Sequence, residues 1–69
     1  MSYQRRKILK ALKKLGFDVI REGGKHTIFA NAQDDRIAVP RHNEIKRGTA
    51  RGIAADAGAD WSDFEREIT

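Results

Sequence analysis

Two adjacent glycines, Gly23 and Gly24, separate two short runs rich in β-branched and aromatic residues, 17–22 and 25–31. Neighbouring glycines both tolerate the positive φ that tight hairpin turns demand, so the pair predicts an antiparallel hairpin centred on Gly23-Gly24. Pairing across that turn sets Arg21 opposite His26, Val19 opposite Ile28 and Phe17 opposite Ala30. These residues share one face, the apolar pairs toward a core and His26 at its rim beside Arg21. Ile20 and Phe29 then point to the other face. Side chains alternate along a strand, so a slip of one residue reverses every one of these assignments.

The flanks fix what the hairpin packs against. Residues 3–15 carry Ile8, Leu9, Ala11, Leu12 and Leu15 at the spacing of one helix face, with Arg6, Lys10, Lys13 and Lys14 opposite. Gly16 is the expected C-terminal stop. After the polar turn Gln33-Asp34-Asp35, residues 36–39 read as a third strand that Pro40 ends. Residues 43–47 read as a turn into a second helix over 48–57, with Ala50, Ile53, Ala54 and Ala57 as its apolar stripe and Gly58 as its stop. Asp60 then caps a short C-terminal helical turn whose Trp61, Phe64 and Ile68 face inward.

That order predicts an α+β fold, a three-stranded antiparallel sheet with two helices packed on one face. A chain of 69 residues has room for one domain, 1–69. It has no cysteine, and two histidines alone make a poor metal set, so neither a disulfide, a metal nor a cofactor is expected. No apolar run is long enough for a membrane span. The expectation is a soluble, cytoplasmic protein, monomeric when alone.

Charge narrows the partner. The net charge is +4 and it is unevenly spread. Residues 1–25 hold eight basic and two acidic side chains, 26–51 five and three, and 52–69 one and five. A basic front with an acidic tail suits a polyanion site on one side of the molecule. Basic residues also crowd the expected helix starts, Arg5-Arg6-Lys7 and Lys46-Arg47, where they oppose the helix dipole by about 0.3–1 kcal/mol each. Either these termini hold phosphate together with their cations, or the penalty is a weak one screened by salt.

Two histidines are the candidate catalysts. The imidazole pKa, about 6.5 when unperturbed, suits proton transfer near neutrality. RNA supplies its own nucleophile, the 2′-hydroxyl, so its cleavage to a 2′,3′-cyclic phosphate needs a base or acid and cations but no metal. His26, with Lys25, Arg21 and Arg41 as cations in reach, fits that demand; alternatively it is a rim histidine that caps strand polar groups. His42, in Pro40-Arg41-His42-Asn43, is either a second proton carrier or loop punctuation. Gly23-Gly24-Lys25-His26-Thr27 lacks the spacing and following helix of a phosphate loop, which sets nucleotide hydrolysis aside.

The ordered set Leu12-Lys13-Lys14-Leu15-Gly16-Phe17, Arg21, Gly24-Lys25-His26 with Ile28-Phe29, Val39-Pro40-Arg41-His42, and Lys46-Arg47-Gly48-Thr49 with Arg51 and Ile53 resembles the HicA toxin family. The stretch from Ala57-Gly58 through Phe64 fits the family's ending. The resemblance implies a double-stranded-RNA-binding-like α-β-β-β-α fold. It implies a type II toxin that cleaves messenger RNA, inhibits translation and is neutralised, in a larger assembly, by a HicB-type antitoxin. It assigns the catalytic role to His26 and places Lys25 where the family often has serine, which alters local phosphate contacts. His42 is carried only as a helper. Arg5, Arg6, Lys10, Lys13, Lys46, Arg47, Thr49 and Arg51 are the expected RNA contacts. Two other readings stand beside this one: a non-catalytic RNA-binding module, and a protein whose basic face serves an acidic partner.

Overall fold

A computed structural model describes residues 1–69. The elements run β1 (Ser2–Gln4), α1 (Arg5–Lys14), β2 (Asp18–Glu22), β3 (His26–Ala30), β4 (Arg36–Pro40), β5 (Glu44–Lys46), α2 (Arg47–Asp56) and α3 (Trp61–Ile68). The expected α+β class and three-stranded antiparallel sheet, ordered β2-β3-β4, are present. The order matches the double-stranded-RNA-binding-like plan, with additions at both ends.

One addition is a ladder of two three-residue strands. Residues 3 and 4 do not begin the helix: β1 pairs antiparallel with β5, setting Tyr3 opposite Ile45. Residues 43–47, expected as a turn, therefore contain a strand. Both Tyr3 and Ile45 are buried, so the ladder closes one end of the core.

The hairpin register corrects the sequence reading. The turn centres on Gly24-Lys25, with the Gly23 N–H donating to the His26 carbonyl at 2.9 Å. Neither Gly23 nor Gly24 adopts the left-handed φ expected of the pair. Glu22 lies opposite Thr27, Arg21 opposite Ile28, Val19 opposite Phe29 and Asp18 opposite Ala30, with the ladder shifting between Val19 and Arg21. Ile20 is the extra residue of a β-bulge. Arg21 is thus not the cross-strand neighbour of His26; that place belongs to Pro40 of β4. The strand faces are likewise reversed, because Phe29 is buried with Ile37 and Val39 while Ile28 is only half-buried. Burying the larger aromatic against the β4 residues that flank it requires the odd-numbered face of β3 to turn inward.

The helices follow their apolar stripes. Ile8, Ala11 and Leu12 of α1, Ala50, Ile53 and Ala54 of α2, and Phe64 and Ile68 of α3 join Phe17, Phe29, Ile37 and Val39 in one core of 14 buried residues. Leu15 departs from expectation: it is the C-cap of α1 and about half exposed. Gly16 and Gly58 carry φ of +93° and +71° after α1 and α2, the conformation expected of glycine stops. The C-terminal segment is a full eight-residue helix whose N-cap, Asp60, accepts from the Asp63 N–H. It packs on α1, where Lys14 Nζ lies 2.6 Å from Glu67.

Candidate active site

His26 is the first residue of β3, and strand alternation turns it outward while Thr27 turns into the core. The ladder to β4 runs one step past the strand ends, the Arg41 N–H donating to the Lys25 carbonyl at 3.1 Å. The chain then passes through His42 and Asn43 into β5, which its pairing with β1 pins to the globule. The Arg5 N–H fastens this connection by donating to the Asn43 carbonyl at 2.8 Å.

An open cleft of about 990 Å³ results, lined by the hairpin turn on one side and by residues 40–46 and Thr49 on the other. It gathers Lys25, His26, Arg41, His42, Lys46 and Thr49, six of the candidate side chains, around a lining with one apolar residue, Ile45. Glu44 is the only carboxylate in the lining, and it accepts from Ser2 Oγ at 2.7 Å. A cationic, solvent-open cleft with an exposed imidazole is chemically equipped to hold a phosphodiester and move a proton.

Other candidates lie elsewhere. Arg21 is exposed beside Ile28 and does not line the cleft. Arg5 is half-buried, donating through Nε to the Pro40 carbonyl at 2.8 Å and through Nη2 to Thr27 Oγ1 at 2.6 Å, so it braces the cleft floor from within. Arg6, Lys10 and Lys13 sit exposed on α1, which contributes nothing to the lining. Arg47 and Arg51 lie over the Trp61 ring, with guanidinium carbons 5.9 and 5.7 Å from its centre, a cation–π pair that sets both beside the cleft rather than in it. Trp61 also meets Tyr3 edge-on at 5.9 Å.

The helix starts bear out the charge pattern. Neither Gln4 before α1 nor Lys46 before α2 makes a side-chain cap, and neither first turn holds an acidic residue. Only α3 is capped conventionally. Sequence reasoning missed Glu22 and Thr27, which bond beneath the turn; no periodicity marks them, and only the correct hairpin register brings them together.

The family described as HicA toxin of bacterial toxin–antitoxin matches residues 5–59. The chain belongs to the HicA toxin family. The matched span takes in α1, the whole three-stranded sheet, the cleft and α2. This HicA-family chain is accordingly a toxin of a toxin–antitoxin system. No curated protein matches it. No helix of this toxin is long and apolar enough to cross a membrane.

Proposed function

We propose that this toxin is an endoribonuclease that cleaves messenger RNA in the cytoplasm without a metal ion, and that a HicB-type antitoxin neutralises it. The observation that carries the reading is the convergence of His26 with Lys25, Arg41, His42 and Lys46 on one cleft. In this mechanism a ring nitrogen of His26 accepts the proton of an RNA 2′-hydroxyl. The 2′-oxygen forms a bond to the adjacent phosphorus, and the bond from phosphorus to the 5′-oxygen breaks. The departing 5′-oxygen takes a proton from His42 or water, which leaves a 2′,3′-cyclic phosphate and a 5′-hydroxyl. Lys25 and Arg41 stabilise the doubly charged phosphorane, because fixed cations in a shaped cleft favour charge that develops in the transition state. Lys46 and Thr49 hold the backbone on the far wall, and Arg47, Arg51 and the exposed cations of α1 extend the attraction to a longer strand. An antitoxin covering the cleft would need acidic groups to complement this wall.

Mass spectrometry of the RNA fragments tests the chemistry. The expected products end in 2′,3′-cyclic phosphate and 5′-hydroxyl, and an RNA with every 2′-hydroxyl methylated stays intact. Fragments with 3′-hydroxyl and 5′-phosphate ends would mean attack by water and would remove the role given to His26.

A further inference from the structure

At the edge of the cleft, side chains from four parts of the sequence form one chain of hydrogen bonds that runs from half-buried Arg5 to the exposed pair Glu22–Arg41. Arg5 donates to Thr27 Oγ1 at 2.6 Å, and the Thr27 hydroxyl donates to Glu22 Oε1 at 2.6 Å. The same carboxylate oxygen accepts from Arg41 Nη1 at 3.2 Å, and that nitrogen also reaches the Gly23 carbonyl at 3.2 Å. The direction of this chain is forced. Arginine only donates, so Thr27 accepts from Arg5 and must spend its single proton on Glu22. Thr27 is the one buried polar residue of the protein, 1% exposed, so its hydroxyl has no water to turn to.

The consequence falls on Arg41. It is held through Nη1 alone, and its Nε and Nη2 donate to no group of the protein. Those two nitrogens form one edge of the guanidinium, the planar two-donor fork that matches two oxygens of a phosphate. We propose that Glu22 is a positioning residue: braced by Thr27 and Arg5, it holds Arg41 at the cleft wall with that fork turned free for a phosphodiester. The inference rests on the reading of the cleft as an RNA site and adds a residue to it.

The sign of one substitution separates positioning from plain electrostatics. A carboxylate beside a polyanion site repels its ligand, so by charge alone Glu22→Ala tightens RNA binding. If Glu22 positions Arg41, the same substitution weakens it. The probe is a 2′-O-methyl oligoribonucleotide, which has the phosphodiester backbone and no nucleophile, followed by fluorescence anisotropy at fixed salt. Glu22→Ala and Arg41→Ala are each expected to weaken binding by roughly three- to tenfold, the scale of one charge-assisted contact. In the Arg41→Ala background, Glu22→Ala is expected to weaken binding no further and, by loss of the carboxylate's repulsion alone, to leave it equal or slightly tighter, since its positioning role acts through Arg41. Glu22→Gln keeps an acceptor for the Thr27 hydroxyl and covers the case in which the alanine variant does not fold; weaker binding is expected of it too.

Each other result overturns the proposal in its own way. Wild type that does not bind the oligonucleotide removes the RNA reading and this inference with it. Wild type that binds, with Glu22 variants equal or tighter, leaves the RNA reading intact and removes the positioning role. A loss that persists unchanged in the Arg41→Ala background assigns Glu22 to the fold rather than to Arg41.

Discussion

At the hairpin turn the two glycines have different jobs. A Cβ on Gly23 would sit 3.0 Å from the His26 carbonyl oxygen, the acceptor of Gly23's own N–H, whereas a Cβ on Gly24 meets nothing within 4 Å. Gly23→Ala must therefore push the turn away from the first residue of β3. It is expected to cost about 1–2 kcal/mol of stability, while Gly24→Ala stays within about 0.5 kcal/mol of wild type. Urea unfolding of the two variants checks this, and equal effects would contradict the close approach. The residue scale is also where the placement of the candidates was most legible in the sequence: Lys25, His26, Arg41, His42, Lys46 and Thr49 all line the cleft. Their types suggest their chemistry, and they lie in two short stretches, 25–26 and 41–49, that the β3–β4 pairing of His26 with Pro40 brings together. Glu22 and Thr27 gave no such signal. A threonine in a strand reads as ordinary β-propensity, and its partner depends on a register that the centring of the turn on Gly24-Lys25 sets.

Elements with several turns of periodic pattern were legible and short ladders were not. Helices α1, α2 and α3 each repeat an apolar stripe and end at a glycine or begin at an aspartate, signals that survive without tertiary context. Strands β1 and β5 are three residues each, too short for a period, and their pairing joins Ser2 to Lys46 across most of the chain. What holds β1 to the helices is visible in Tyr3, whose hydroxyl donates to Glu65 Oε2 of α3 at 2.5 Å. That hydrogen bond, together with burial and the Glu65 charge, raises the Tyr3 pKa above its ordinary 10.0 against a smaller opposing effect of Arg47. A pKa raised by folding contributes stability that is fully present below 10.0 and is lost as pH climbs through the raised value. The melting temperature of wild type is expected to exceed that of Tyr3→Phe at neutral pH, with the gap shrinking in strongly alkaline solution. A gap that stays constant across that range would show the hydroxyl to be uncoupled from folding.

Over the whole molecule, charge and shape divide the labour. The acidic segment folds back as α3 onto the basic helix α1, where the Lys14 ammonium, by hydrogen bond and charge, holds the Glu67 carboxyl below its ordinary range. Lys7 Nζ donates to the Thr69 carbonyl at 2.7 Å on the same side. Neither α1 nor α3 lines the cleft, so the negative tail offsets positive charge away from the site and leaves the cleft cationic. The charge asymmetry read along the sequence thus reappears as an asymmetry of faces, though helix α1 carries less free charge than its sequence promised. His26 is proposed to make this cleft a ribonuclease. The most direct test is cleavage of a long single-stranded RNA in EDTA by wild type and by His26→Ala, with both proteins shown to be folded by circular dichroism. The expected result is that wild type cuts and the folded variant binds the same RNA without cutting it. Equal cutting by both, or none by either, would contradict the claim and leave the cleft as a site for binding alone.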